Sequence, residues 1–380
     1  MGMTVLVNAG PWLPVPPHGY GGIENVVATL VPELRRRGVR VVLATVGAST
    51  LPVEERVALY EHGQFGRLQE PYNRVCGIAH AHLQRVLTEL RRRADIDLVH
   101  DHVEVVGLSS LAAAGVATLH TAHWDLGKHR EFYASLDCGE RLWVNGVSAD
   151  QLRKAPASLR ARSLGHVHLA TPLAEGADQR PVPAKEQHVT VLGRITPGKG
   201  QDVAVRVARE LDRPLVLAGP VGPFHDRAAL DRALATDLDI LANPDVRYWC
   251  DEIAPHVDGR RVRWVGTVHG AELERLLGTA RAALFPITWD EPGGTAVTEA
   301  LAMGCPVIGF GRGCLPELVE HGRTGLLAEP GDEAGLAALL AACQEIDPAA
   351  CAKEATERFR PAVMAERYLE LYEEVRAHGP

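Results

Sequence analysis

The stretch Phe285-Pro-Ile-Thr-Trp-Asp-Glu-Pro-Gly-Gly-Thr-Ala-Val-Thr-Glu-Ala-Leu-Ala-Met-Gly-Cys-Pro306 decides how the chain is read. The apolar run Ala282 to Phe285 before it has the length of a buried strand, which Pro286 breaks into a loop carrying Glu291, Pro292, Gly293 and Gly294. Thr295 then opens a helix through Met303, and Gly304 with Pro306 closes it before a new strand from Val307 to Gly309. Strand, glycine turn and helix form a phosphate-binding geometry, because first-turn amides have no partner inside the helix and its dipole favours an anion. Glu291 and Glu299 flank that turn. A carboxylate repels phosphate but accepts hydrogen bonds from hydroxyls. Hydroxyls at both ends and phosphate in the middle describe a nucleotide-sugar.

Two Glu residues eight positions apart, Pro-Gly-Gly-Thr between them and Glu-Ala-Leu-Ala-Met-Gly following, resemble the E-x7-E signature of the family-4 retaining glycosyltransferases of the GT-B type. The resemblance implies an α/β chain of two doubly wound Rossmann-like domains facing a central cleft, with a C-terminal helix crossing back to the first. It further implies that Glu291 contacts the hydroxyls of the donor sugar, that the amides of Gly293, Gly294 and Thr295 hold sugar and distal phosphate, and that Glu299 holds the ribose hydroxyls.

A chain of 380 residues, 46% hydrophobic and 23% charged, has room for two domains. No apolar run approaches the roughly 18 residues that span a bilayer, and the N-terminus enters a strand without a basic region, so a soluble cytoplasmic protein is expected. The seven Cys are scattered and contain no C-x-x-C pair, which indicates free thiols and neither a disulfide framework nor a zinc site. A net charge of −8 argues against a nucleic-acid partner. Only five of the 40 cations are Lys, so Lys199, flanked by glycines, stands out.

In the first half, a strand from Thr4 to Val7 runs into a Pro/Gly-rich loop, a helix from Ile23 to Arg37 and a strand from Val39 to Thr45. Gly21 and Gly22 stand at that helix entry, and Tyr20-Gly-Gly-Ile-Glu24 resembles the family loop that closes over the donor. Helices over 83–93 and 105–114 and strands over 97–100, 116–120 and 142–147 continue an alternation that predicts a parallel sheet covered on both faces. Ligands of such sheets bind beyond the C-terminal strand ends. Those ends carry Asn8, His100-Asp-His102 and His120-Thr-Ala-His123. Two His at i, i+2 share a strand face, but with no convincing third ligand they read as cleft-lining groups, not a metal site. The segment Val116 to Thr121 is similar to the family stretch whose His lies against the donor sugar, which assigns that role to His120, with His123 as the fallback. Asp95-Ile-Asp97 and Asp237-Leu-Asp239 read as structural. The arginine runs 35–37 and 91–93 read as helix-ending cations, with a membrane-surface patch for a lipid acceptor as their alternative.

A Pro-rich stretch from Thr171 to Gln187 reads as a linker, which divides the chain into a first domain over 1–172, completed by the helix 361–380, and a second over 173–360. The second alternation opens with a strand from His188 to Gly193 and the turn Arg194-Ile-Thr-Pro-Gly-Lys-Gly-Gln201. An Arg that forks onto two oxygens and a Lys that adds a point charge suit a diphosphate. The turn resembles the family's G-R-x-x-x-x-K-G motif, whose Arg and Lys bind the donor diphosphate. Gly266 and Val268 follow the strand Val262 to Val265, where the family seats the base.

The implied activity is transfer of a hexosyl group from a nucleoside diphosphate to an acceptor hydroxyl with retention, with Arg194, Lys199, Glu291 and His120 as the catalytic set. The donor is the substrate, with UDP mildly preferred; no cofactor or metal is required, and the acceptor is a small molecule or a glycan. A non-catalytic nucleotide-sugar binding protein and a GT-B phosphorylase or epimerase are the alternatives. A nicotinamide-dependent oxidoreductase is disfavoured because no G-x-G-x-x-G opens the first helix. Pro17-His-Gly-Tyr-Gly-Gly-Ile-Glu24, Val99-His-Asp-His102 and Gly313-Cys-Leu-Pro316 resemble the subgroup that includes the avilamycin-pathway glycosyltransferase.

Overall fold

A computed structural model describes residues 2–19 and 21–378; Tyr20, part of the helix-entry loop discussed above, lies outside the described residues. The chain divides into two compact units, Met1–Ala170 with Pro361–Pro380, and Thr171–Arg360.

Unit 1 is built on seven strands: β1 (Thr4–Asn8), β2 (Arg40–Ala44), β3 (Glu55–Val57), β4 (Leu98–Asp101), β5 (Thr118–Thr121), β6 (Leu142–Gly146) and β7 (Ser163–His166). All neighbouring pairs are parallel, in the order β3-β2-β1-β4-β5-β6-β7. Unit 2 holds β8 (Val189–Leu192), β9 (Leu215–Ala218), β10 (Val262–Trp264), β11 (Ala282–Phe285), β12 (Val307–Phe310) and β13 (Gly325–Ala328), parallel in the order β10-β9-β8-β11-β12-β13. In each sheet the first strand lies inside, so the order reverses between β1 and β4 and again between β8 and β11. These switch points are where a doubly wound sheet opens a crevice beyond its strand ends.

The central strands β1, β4, β5 and β11 are buried along their whole length because helices cover both faces. β1 is fully buried over Thr4–Asn8, and the helix Gly22–Arg36 packs Val27, Leu30, Val31 and Leu34 onto it without exposure. The final helix, Pro361–Ala377, places Met364, Tyr368, Leu371 and Tyr372 in the same core.

Four features differ from the expectations. The helix expected over 83–93 runs from Tyr72 to Arg92. Edge strands β3 and β7, both short, had no apolar alternation to announce them. The linker instead begins unit 2: its short turns bury Ala174 and Ala177 against the core around Ala300 and Leu301.

Four arginines of the runs 35–37 and 91–93 form ion pairs. Arg35 meets Glu54 at 2.9 Å, Arg36 meets Glu33 at 2.7 Å, Arg37 meets Glu366 at 3.0 Å, and Arg93 meets Asp95 at 2.7 Å. Asp95 thus serves an ion pair, and Asp237 caps the amide of Asp239 at 2.9 Å. No helix among the described residues is long and apolar enough to cross a membrane.

Candidate functional site

Unit 2 gathers its predicted residues around the β8/β11 switch point. Beyond β8, the turn carrying Arg194 and Lys199 is braced by buried Gln201, whose side-chain amide donates to the Arg194 carbonyl at 2.9 Å. Gly200 sits at φ +69°, and a Cβ there would lie 1.9 Å from the carbonyl oxygen of Pro286. The chain therefore needs glycine at 200 to bring the Lys199 turn against the end of β11. Thr288 confirms the approach by donating its amide to Gly198 at 3.0 Å.

That approach sets Lys199 Nζ 2.5 Å from Glu291 Oε2, with side chains 25% and 14% exposed. The ammonium also lies 5.6 Å from the centre of the Trp289 ring, within reach of its negative face. Arg194 Nη1 stands 3.7 Å from Asp245 and remains 44% exposed, so its fork is available to a further anion. Two cations from the turn after β8 and a carboxylate from the loop after β11 thus lie at two neighbouring strand ends.

The helix after Glu291 covers Thr295–Ala302 and is capped by Gly294 in the left-handed region. A Cβ on Gly294 would meet the sulfur of buried Cys314 at 2.8 Å, so the turn needs glycine for space as well as for φ. Thr295 is the first helical residue; its amide and that of Ala296 fall outside the i→i−4 ladder and face outward. Glu299, one turn along the same helix, is half-buried and its side chain makes no hydrogen bond or ion pair among the described residues. Burial without a partner pushes its carboxyl up to about 7. Gly266 is held by the loop after β9, since a Cβ there would lie 2.2 Å from the His225 carbonyl, and Val268 is buried beyond it.

Unit 1 places His120 at the β5 end, where its Nδ1 meets Asp101 Oδ2 at 2.7 Å. The other carboxylate oxygen, Asp101 Oδ1, accepts from Asn8 Nδ2 at 2.7 Å, and Asn8 Oδ1 meets His82 Nε2 at 2.7 Å. A carboxylate on Nδ1 fixes the proton there in neutral imidazole and leaves Nε2 as the acceptor. That Nε2 is buried with no partner among the described residues, and so is Nε2 of His102. His123, the fallback, is engaged by Nδ1 of His102 at 2.8 Å. His100 bonds Tyr372 and Thr121, each at 2.7 Å, so it and the His102 that follows β4 act as hydrogen-bonding core groups. Burial holds His100 and His102 well below the usual imidazole range and brings His123 down to about 3 and His82 to about 4.

At the helix entry of unit 1, a Cβ on Gly21 would lie 2.6 Å from the Pro17 ring, whereas Gly22 faces open space. Glu24 in the first turn is buried, and desolvation raises its carboxyl to about 7. Glu104, bonded to Tyr133, is likewise raised to about 7 by burial. Asp101 is the residue that the sequence reading passed over. Its signal was faint: a polar group at a strand end whose partners, Asn8 and His120, lie 93 and 19 residues away.

The family model described as "Glycosyl transferases group 1" matches residues 175–358, and "Glycosyltransferase Family 4" matches residues 20–149. Glycogen synthase of Mycobacterium tuberculosis is 28% identical over 274 residues, which covers 68% of this chain and 62% of that protein. The chain thus spans less than two thirds of the length of this relative. Alpha-maltose-1-phosphate synthase of Mycolicibacterium smegmatis is 27% identical, covering 95% of this chain and 97% of that one. Among solved structures, AviGT4, a glycosyltransferase involved in avilamycin A biosynthesis, superposes with a TM-score of 0.67 at 24% identity over 99% of both chains. The Anabaena protein Alr3699/HepE in complex with UDP-glucose does so with 0.64 at 18% identity over 98% of this chain and 100% of that one. Two family models in succession along the chain, and two parallel Rossmann-like sheets shared with these structures, lead to one conclusion: the chain belongs to the family-4 glycosyltransferases of the GT-B fold.

Proposed function

We propose that the protein transfers a hexosyl group from a nucleoside-diphosphate sugar to an acceptor hydroxyl, with retention at the anomeric carbon. The observation that carries this reading is the Lys199–Glu291 pair at the β8/β11 switch point, beside Arg194 and the N-terminus of the helix Thr295–Ala302. Diphosphate oxygens would take the Arg194 fork, the Lys199 ammonium and the helix amides, while Glu291 turns to sugar hydroxyls and Glu299 to those of the ribose. The UDP-glucose complex of the Anabaena protein Alr3699/HepE supports a uridine nucleotide as the first donor to try.

As the anomeric C–O bond breaks, its electron pair leaves with the diphosphate and the sugar becomes oxocarbenium-like. Arg194, Lys199 and the helix dipole stabilise the charge gained, an effect of about 3 kcal/mol per preorganised donor. The acceptor oxygen forms the new bond on the face that the leaving group vacates, and its proton passes to the departing phosphate. With this charge complement the step runs without a divalent metal. In unit 1, His120 Nε2, the acceptor end of the Asp101–His120 pair, takes a hydrogen bond from a substrate hydroxyl.

The test begins with thermal unfolding in the presence of UDP, GDP, ADP or dTDP, each with and without magnesium. A ligand at a hundred times its dissociation constant adds about 2.7 kcal/mol, a readily measured rise in midpoint. A rise with one nucleotide that needs no magnesium supports the site, and turnover of UDP-glucose or its counterpart on that nucleotide then supports the reaction. If no nucleotide shifts the midpoint, the diphosphate roles of Arg194 and Lys199 fall.

A further inference from the structure

The loop that carries Glu291 is strung between two turns, and only one of them has a role so far. From the β8 side, the Gly198 carbonyl takes the amide of Thr288 at 3.0 Å. From the β12 side, Arg312 grips the same loop twice: Nη1 donates to the Thr288 carbonyl at 2.6 Å and Nε to Asp290 Oδ1 at 2.9 Å. Thr288 is therefore bracketed, its amide held by one turn and its carbonyl by the other. Directly beneath, the Cys314 amide donates to the Glu291 carbonyl at 2.8 Å, and a Cβ on Gly313 would lie 2.5 Å from the Glu291 nitrogen. The turn 312–314 thus fits against both ends of the segment 288–291.

We propose that Arg312 is a positioning residue, which holds the Thr288–Glu291 loop in the register that sets the Glu291 carboxylate against Lys199. The inference rests on the reading of this site as the donor site. Arg312 and Asp290 are 30% and 32% exposed, and a pair so placed adds little stability. Its value is geometric. A planar fork fixes a carbonyl and a carboxylate at once, which an ammonium on a flexible stem cannot do. Arg312 touches neither Lys199 nor the helix amides, so its effect on the reaction passes through the position of Glu291.

The experiment compares wild type with Arg312→Ala and Arg312→Lys. Amide hydrogen exchange on the full chain reads the loop without any substrate. In Arg312→Ala the amides of 288–291 should exchange about tenfold faster while the rest of unit 2 is unchanged. Turnover of UDP-glucose should fall about 10–100-fold in kcat/KM, with UDP affinity held within about twofold, because the diphosphate contacts are intact and the sugar contact is displaced. Arg312→Lys should recover only part of either. The double variant Arg312→Ala, Glu291→Gln should be no slower than the worse of its two singles, since both act through one carboxylate. Unchanged exchange at 288–291 overturns the proposal, and so does faster exchange throughout unit 2, which would make Arg312 a stability residue. Faster exchange in the loop with unaltered turnover removes its role in transfer. A wild type that binds no nucleoside diphosphate defeats the donor-site reading instead, and the exchange result still decides whether Arg312 holds the loop.

Discussion

At the switch point of unit 1, Asn8 and Asp101 meet at 2.7 Å with no solvent exposure; at that of unit 2, Lys199 and Glu291 meet at 2.5 Å with 25% and 14% of their side chains still exposed. The first pair belongs to a buried chain, His82–Asn8–Asp101–His120, in which each link occupies the next and the terminal His120 Nε2 has no partner among the described residues. The second is an ion pair whose members can exchange partners, because water and a ligand can reach both. One half of the fold holds a geometry, and the other holds charge in readiness. A buried polar network has this character because an unsatisfied member is expensive and a satisfied one rigid, whereas a pair that solvent still reaches can give up one partner for another.

The comparison can be broken or sharpened by mutation. The largest effect is expected at the exchangeable charge: Lys199→Ala should lower turnover by about 10²–10³-fold with the melting temperature preserved, measured by steady-state rates beside calorimetry. Near-normal rates would remove Lys199 from the chemistry. Asp101→Asn should differ in kind, lowering turnover by about 10–100-fold and destabilising unit 1 as well, because it removes the charge that holds His120 and disturbs Asn8. If denaturant unfolding shows full stability, the network is not the rigid element described. Glu291→Gln should weaken discrimination between hexoses by about tenfold while leaving nucleotide affinity near wild type, which competition calorimetry with UDP and UDP-glucose separates.

Acid should distinguish the units thermodynamically. Burial lowers four imidazoles of unit 1, those of His82, His100, His102 and His123, below an unfolded value near 6.5. Below about pH 6.5 the unfolded chain therefore binds protons that the folded unit refuses, and each such His takes about 1.4 kcal/mol of stability per pH unit. Glu24 and Glu104, raised to about 7, act in the opposite sense between about pH 7 and 4.5, where the folded state is the one that holds the extra proton. Four against two leaves unit 1 losing stability as pH falls from 6.5 to 4.5. In unit 2, Glu299 alone acts in the protective sense against a lowered His188. Footprinting by mass spectrometry across this range should show unit 1 opening first; simultaneous opening would contradict the assignment. The smallest effect is expected for Tyr372→Phe, which removes the partner of His100 Nδ1 and should cost about 1 kcal/mol in urea unfolding without altering turnover.

The two sites also differ in how far the sequence disclosed them. Unit 2's groups come from strand–turn–helix segments in which charge, glycine and helix start are adjacent, so Arg194, Lys199, Glu291, Gly294 and Thr295 could be read locally. Asp101 could not, because its meaning depends on β1 lying beside β4 and β4 beside β5, which is a property of strand order. Arg312 is of the same kind, an ordinary surface cation until β12 is placed beside β11. The helix Tyr72–Arg92 was found only in its second half because Tyr72 to Arg74 are exposed and offer no apolar period, although Pro71 at its cap was a usable start signal. The hydrogen-bonded setting of His100 was equally hidden, because the tyrosines that pack on it come from residues 368 and 372, more than 260 positions along the chain.

That last contact bears on the order in which the protein can be made. The core of the first sheet includes Met364, Tyr368 and Tyr372, so it cannot close until the final helix has left the ribosome. Residues 171–360 form the second sheet without help from either end, and they can finish while the first-made half still waits for its last segment. Synthesis from the N-terminus ordinarily lets the first domain fold first. Here the unit translated first is completed after the second, with its hydrophobic surface open until residues 361–377 emerge.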